Sequence, residues 1–164
     1  QTVYNEMLLI CDYEFIKGKE KELLSIAALC HDTGYVVKTL ENEENGAQFA
    51  ESIMRKHSFS MKEIDLVKKL IKETDPEIPC TSRYSEYLND ADLGYLGTND
   101  FVEWSDKLFS EYVYFNRIID DKKDWLKKEI EFLENHRYFS SFSKLYRLPV
   151  KRRNLTVLKE LKQS

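Results

Sequence analysis

The sequence predicts an all-α protein, a helical bundle folded as a single domain over residues 1–164. Three observations carry this. Apolar residues recur at helical spacing in one segment after another. Only five Gly and three Pro occur in 164 residues, too few for a turn-rich all-β fold. Hydrophobic residues make up 42% of the chain, enough for a core at this length. No internal repeat, low-complexity tract or interdomain linker divides it.

The first helix places Val3, Met7, Ile10 and Glu14 on one face, with Leu8 and Cys11 beside them, and breaks at Lys17-Gly18-Lys19. Residues 21–31 are apolar nearly all round and predict a central buried helix. Residues 33–42, with Tyr35-Val36-Val37, read as a loop. A third helix runs from about 43 to 57, with Ala47, Ala50, Ile53 and Met54 on one face. Ser60 and Glu63 have capping-box spacing and open a fourth helix carrying Ile64, Val67, Leu70 and Ile71. Asp75-Pro76 ends it, because the residue before proline disfavours helical geometry. The fifth holds Tyr84, Tyr87, Leu88 and Asp92 and exits at Gly94 and Gly97. A sixth covers 100–119 with Phe101, Trp104, Leu108 and Tyr112, and Asp120-Asp121 opens a seventh with Trp125, Leu126, Ile130 and Leu133. A short element near 139–146 follows. Pro149 precedes a last helix, basic at its start, with Leu155, Leu158 and Leu161.

A net charge of −4 provides no global basic field for long nucleic acid. No apolar run reaches the ~20 residues needed to span a bilayer and no signal peptide is seen, so a cytoplasmic protein without a membrane partner is expected. Cys11, Cys30 and Cys80 are widely spaced and include no CxxC pair, against a zinc knuckle or redox motif. Cys30 reads as a small buried hydrophobe.

The chemistry concentrates where that central helix ends. His31 and Asp32 close the apolar run of residues 23–35, and Thr33-Gly34 is a helix stop signal. Burying a carboxylate is costly unless a cation or hydrogen bonds compensate. A second acidic cluster, Asn89-Asp90-Ala91-Asp92-Leu93-Gly94, follows in another apolar and aromatic setting. A mixed imidazole and carboxylate shell suits Mn, Fe, Co, Ni or Zn better than Ca or Mg. No Ser-His-Asp arrangement or glycine-rich phosphate loop offers a different chemistry.

These residues, with their order and spacing, resemble the HD-domain phosphohydrolases, and more narrowly a bacterial subfamily of metal-dependent HD phosphohydrolases. The matching pieces are His31-Asp32-Thr33-Gly34-Tyr35, Glu41-Asn42-Glu43-Glu44-Asn45-Gly46-Ala47, Asp90-Ala91-Asp92-Leu93-Gly94-Tyr95-Leu96-Gly97 and Arg153-Asn154-Leu155, covering nearly the whole chain. The resemblance implies an HD-type helical bundle with His31, Asp32 and Asp92 as metal ligands. Asp92 is preferred to Asp90 because the family places its ligand in an Ala-Asp dipeptide. Asp90 points to a different face, as a surface carboxylate or one supporting the ligands. The family's first ligand is a His on the preceding helix. None precedes His31, and the chain opens within a helical pattern without a start Met, so that His is expected just upstream of Gln1.

Family members with a second metal add His ligands in two regions where this chain has Glu43 and Glu73-Thr74-Asp75, which implies one ion. Glu43 or Glu44 then holds water or supports a ligand, or else is simply an acid favourable at a helix N-terminus. Arg153 and Asn154, beside Lys151 and Arg152, are the family-like candidates for substrate phosphate, or else an ordinary solvated basic start of the last helix. Arg83, Lys38 and Arg117 are isolated cations. His57 and His136 read as surface residues. The expected activity is hydrolysis of a phosphomonoester or phosphodiester, nucleotide-like, by water that the ion activates. The alternative is a catalytically silent HD module that binds a nucleotide or a protein in regulation. The ten Tyr, nine Phe and two Trp serve a core, a homodimer face or base stacking.

Overall fold

A computed structural model describes residues 2–36, 42–114 and 121–163. Among them are nine α-helices, two short 3-10 turns and no strand, the all-α class that the sequence predicts. The chain divides into two compact units: Gln1–Leu93 with Phe139–Phe142, and Gly94–Tyr138 with Ser143–Ser164.

The first unit contains α1 (Thr2–Tyr13), α2 (Gly18–Cys30), α3 (Asn42–Lys56), α4 (Met61–Lys72) and α5 (Arg83–Asp92), with a 3-10 turn at Thr33–Val36. Its core joins Met7 and Ile10 of α1 to Leu24 and Ala27 of α2, Ala47, Ala50 and Met54 of α3, Ile64, Val67 and Ile71 of α4, and Leu88 of α5. The predicted capping box at Ser60 and Glu63 is present, with the Ser60 N–H donating to Glu63 Oε2 at 2.7 Å. A second reciprocal cap, Ser82 with Ser85, starts α5.

Two expectations need correction. Helix α2 is not buried all round: α1, α3, α4 and α5 contact it but leave Leu29 54% exposed. Ile53 does not join the inward face of α3. It lies about 100° from Met54 around the helix and is exposed.

Asp90 ties this unit to its distant segment. Its carboxylate is 0% exposed and accepts from three donors: the Phe139 N–H at 2.9 Å, the Ser140 N–H at 2.7 Å and the Ser140 hydroxyl at 2.6 Å. Glu14 adds a parallel link, accepting the Ser141 N–H at 2.6 Å. The surface role open to Asp90 is thereby excluded. It is a buried structural anchor.

The second unit contains the 3-10 turn that begins at Leu93 (Leu93–Gly97), α6 (Phe101–Tyr114), α7 (Lys122–Asn135) and α9 (Leu148–Gln163). Helix α8 (Ser141–Tyr146) starts in the returning segment of the first unit. The sixth helix was expected to reach 119; residues 115–120, with Arg117, lie outside the described residues, as do Val37 and Lys38. Asp121 caps α7 by accepting the Lys123 N–H at 2.8 Å. Pro149 sits inside the first turn of α9 rather than before it, where its missing N–H costs no helical bond.

His136 is not a surface residue. It ends α7 partly buried, packs edge-on against Tyr138 and meets the Lys151 ammonium at 3.2 Å. Lys151 is only 4% exposed and donates to the His136 carbonyl at 2.6 Å, a cation on the carboxyl end of a helix. Burial first, then the Lys151 charge, depresses the His136 pKa to about 4. His57, by contrast, is exposed as expected.

Replacing Asp90 with Ala should cost about 3 kcal/mol or more, because buried donors on 139 and 140 lose their acceptor. Urea unfolding measures this, and a loss below about 1 kcal/mol would contradict the anchor.

Candidate metal centre

Helix α2 delivers His31 as its C-terminal cap, in right-handed helical geometry with its N–H on the Ala27 carbonyl at 3.0 Å. The residue is 5% exposed. Ring atom Nδ1 lies 3.0 Å from the Ala28 carbonyl oxygen, which can only accept, so Nδ1 carries a proton. That leaves Nε2 facing two carboxylates, Asp32 Oδ2 at 3.0 Å and Asp92 Oδ1 at 3.3 Å. A backbone acceptor on one nitrogen, orienting the other, is the arrangement that fixes a ligand imidazole.

Adjacent residues on a helix point about 100° apart. The two meet at one point because the chain leaves the helix here. The Thr33 hydroxyl donates to the Cys30 carbonyl at 2.7 Å, and the 3-10 turn begins at once. Asp92 arrives as the last residue of α5. One ligand atom from each of His31, Asp32 and Asp92 lies within 4.8 Å of the others. Bonds of ~2.0–2.2 Å to a common ion place ligand atoms roughly 3 to 4.4 Å apart, so the donor set fits one ion after small adjustments.

Two glycines allow the close approach that builds the site. A Cβ on Gly46 would stand 2.8 Å from the carbonyl oxygens of both Cys30 and His31, so the first turns of α3 lie against the end of α2. A Cβ on Gly34 would stand 1.9 Å from the Asn42 carbonyl oxygen. Asn42 is 4% exposed, and its side chain lies near enough to Asp32 to favour the charged carboxylate.

The electrostatics follow. Burial pulls the His31 imidazole toward neutrality, but the hydrogen bonds and charges of Asp32 and Asp92 outweigh it and raise the pKa to about 10. Surrounding protein pushes the Asp32 carboxyl up, while the His31 hydrogen bond and charge, with the nearby Asn42 side chain, hold it below its ordinary value. Without an ion, the site is an imidazolium between carboxylates.

Other expected residues have different surroundings. Glu43 stands in the first turn of α3 and does not join the three-residue group. Glu44 pairs with Lys72 and accepts from Gln48 at 3.2 Å; Glu41 lies outside the described residues. Glu73 accepts the Thr81 N–H at 3.1 Å and its hydroxyl at 2.7 Å, closing the link from α4 to α5. Arg153 and Asn154 belong to the second unit. Arg153 donates to Asn99 at 2.5 Å, and the Asn154 amide group donates to the Leu96 and Thr98 carbonyls, each at 2.9 Å. Cys30 is buried, with its thiol pKa raised by burial.

Sequence reasoning gave no role to Asn42 or Gly46. The available signal was a glycine inside a helical pattern, which costs about 1 kcal/mol against Ala and so points to a packing reason. A search of protein-family models gave no match, and neither curated proteins nor solved structures gave a significant one.

Two outcomes are expected. Gly46→Ala should destabilise by about 1–3 kcal/mol through overpacking at the end of α2, read from urea midpoints. In chelator-treated protein, a folded His31 pKa of about 10 exceeds the unfolded value near 6.5. Its contribution is therefore complete below pH about 6.5 and is lost as pH rises toward 10. Unfolding at pH 6.5 and 9.5 should show this loss, and His31→Gln should remove that part of the slope.

Proposed function

We propose that the chain is a metal-dependent HD-type phosphohydrolase that holds one divalent transition ion through His31, Asp32 and Asp92. The observation that supports this best is the convergence of an oriented, buried imidazole and two carboxylates from separate helices within 4.8 Å. The resemblance at 31–35 and 90–97 supplies the family and the reaction class. Such an ion, when bound, lowers the pKa of water and polarises a phosphoryl oxygen.

The chain's own residues do the rest. Ala28 holds the ring of His31, so Nε2 is presented with little entropy to lose. Nε2 must give up its proton for the ion, which makes binding stronger as pH rises. Asp32 and Asp92 bring the negative charge that a divalent cation needs. The more exposed Asp32 marks the side open to solvent and substrate. Glu43, at the start of α3, is the carboxylate assigned to orienting water. Arg153 and Asn154, engaged with Asn99 and with the Leu96 and Thr98 carbonyls, are given no phosphate contact. The substrate class is a nucleotide-like phosphate ester.

The test is metal content followed by turnover. The purified chain, dialysed against Mn, Co, Ni or Zn, should bind at most about one ion per chain, and weakly, because it offers three protein ligands. Asp92→Ala should lose it, while Asp90→Asn should keep it per folded molecule. Hydrolysis of p-nitrophenyl phosphate, its bis ester or nucleoside monophosphates should follow metal content, vanish with chelator and survive Cys30→Ala. Equal metal loss from the Asp92 and Asp90 variants would overturn the ligand assignment. Retained metal without turnover on any ester would favour the silent regulatory module. Chelator-insensitive hydrolysis would point to covalent chemistry.

A further inference from the structure

The second unit holds a cavity of about 360 Å³ that the metal centre does not use, lined by Tyr95, Leu96, Leu108, Trp125, Phe132 and Leu133, with Lys128 and Glu129. Ligand pockets run roughly 300–1,000 Å³, so its size suits a small molecule of one or two rings. Neighbouring rings fix its aromatic walls. Tyr95 stacks on Phe101 at 6.4 Å and meets Trp104 at 6.4 Å, and Phe109 meets Trp125 at 5.9 Å. Rings held in this way form a surface that exists before any ligand arrives.

One group does not belong in a merely greasy cavity. Glu129 lies on α7 among these rings, partly buried. The Trp125 indole N–H donates to the Ser105 hydroxyl at 3.2 Å, and both polar side chains lie near enough to the Glu129 carboxyl to favour its charged form. Ser105 and Trp125 are 6% and 9% exposed, so the protein side of this carboxyl is bounded by buried polar groups. Burial above all keeps its pKa above the ordinary value, with Asp106 adding to the effect and Ser105, Trp125 and Lys122 opposing it. The neutral groups of Ser105 and Trp125 therefore leave the carboxylate incompletely compensated.

We propose that this cavity binds a small aromatic cation, its ring against Tyr95, Trp125 and Phe132 and its charged N–H groups on the Glu129 carboxylate. Such a ligand matches both halves of the site. A cation over Tyr and Trp faces is attracted by their quadrupoles, and an N–H⁺ on a partly desolvated carboxylate makes a charge-assisted bond. An anionic amphiphile would set a second negative charge against Glu129. A neutral hydrocarbon would leave the carboxylate buried with no further partner. Exposed Lys128 at the lining is free to turn to water along its flexible stem.

Benzamidine tests this on the full chain, with benzyl alcohol and benzoate as its neutral and anionic counterparts. Trp104 and Trp125 both belong to the aromatic cluster about the cavity, so their fluorescence reports occupancy. Benzamidine should bind saturably and at least about tenfold more tightly than either counterpart. Glu129→Gln keeps the shape and one acceptor, and should reduce that preference to about twofold or less while benzyl alcohol binding persists. Leu108→Trp should fill the space and abolish binding of benzamidine, with circular dichroism confirming the fold of both variants. Equal binding of benzoate, an unchanged preference in Glu129→Gln, or no saturation by about 10 mM benzamidine would overturn the proposal. If Leu108→Trp fails to fold, the comparison of charges in wild type and Glu129→Gln still decides it.

Discussion

The candidate centre depends on one contact, the meeting of the carboxyl end of α2 with the first turns of α3. A helix ends in carbonyls without partners and a partial negative charge. Here the end is doubly answered. The His31 ring stands beside its own last turn, on the Ala28 carbonyl, and Gly46 lets the amino end of α3 approach Cys30 and His31. Opposite poles of two helices thus come together, and the short turn from 33 to 36 brings Asp32 round to the same place.

Asp90 and Asp92 show how completely helical rotation separates chemistry. They lie two positions apart on α5, about 200° around the axis. Asp92 turns to an imidazole; Asp90 turns to backbone and hydroxyl donors of 139 and 140. Both carboxylates escape the full penalty of burial, one through a charge and the other through hydrogen bonds. Exchanging their roles would need half a turn of helix.

Much of this was legible in the sequence because it is local. Apolar spacing located the helices, Ser60 and Glu63 marked a cap, and His31-Asp32 before Thr33-Gly34 marked a polar cluster at a helix end. What stayed hidden depends on partners far along the chain. Nothing beside His136 announces Lys151, so a histidine at a helix end looked exposed. Nothing beside Asp90 announces Ser140. Asn154 carried a family-like pattern, yet its amide group holds the backbone carbonyls of Leu96 and Thr98, a role set by tertiary distance rather than by neighbours. Leu29 is the converse case: apolar patterning marked it as inside, and it lies at the surface, 54% exposed.

The first unit is discontinuous, since residues 139–142 return to it after the second unit has begun. During synthesis, α1 to α5 emerge well before the donors that Asp90 requires. A nascent chain that stops short of Ser140 therefore lacks the Phe139 and Ser140 donors to Asp90, on the same helix that places Asp92. The contact that closes this discontinuous unit can form only after the segment at 139–140 has left the exit tunnel.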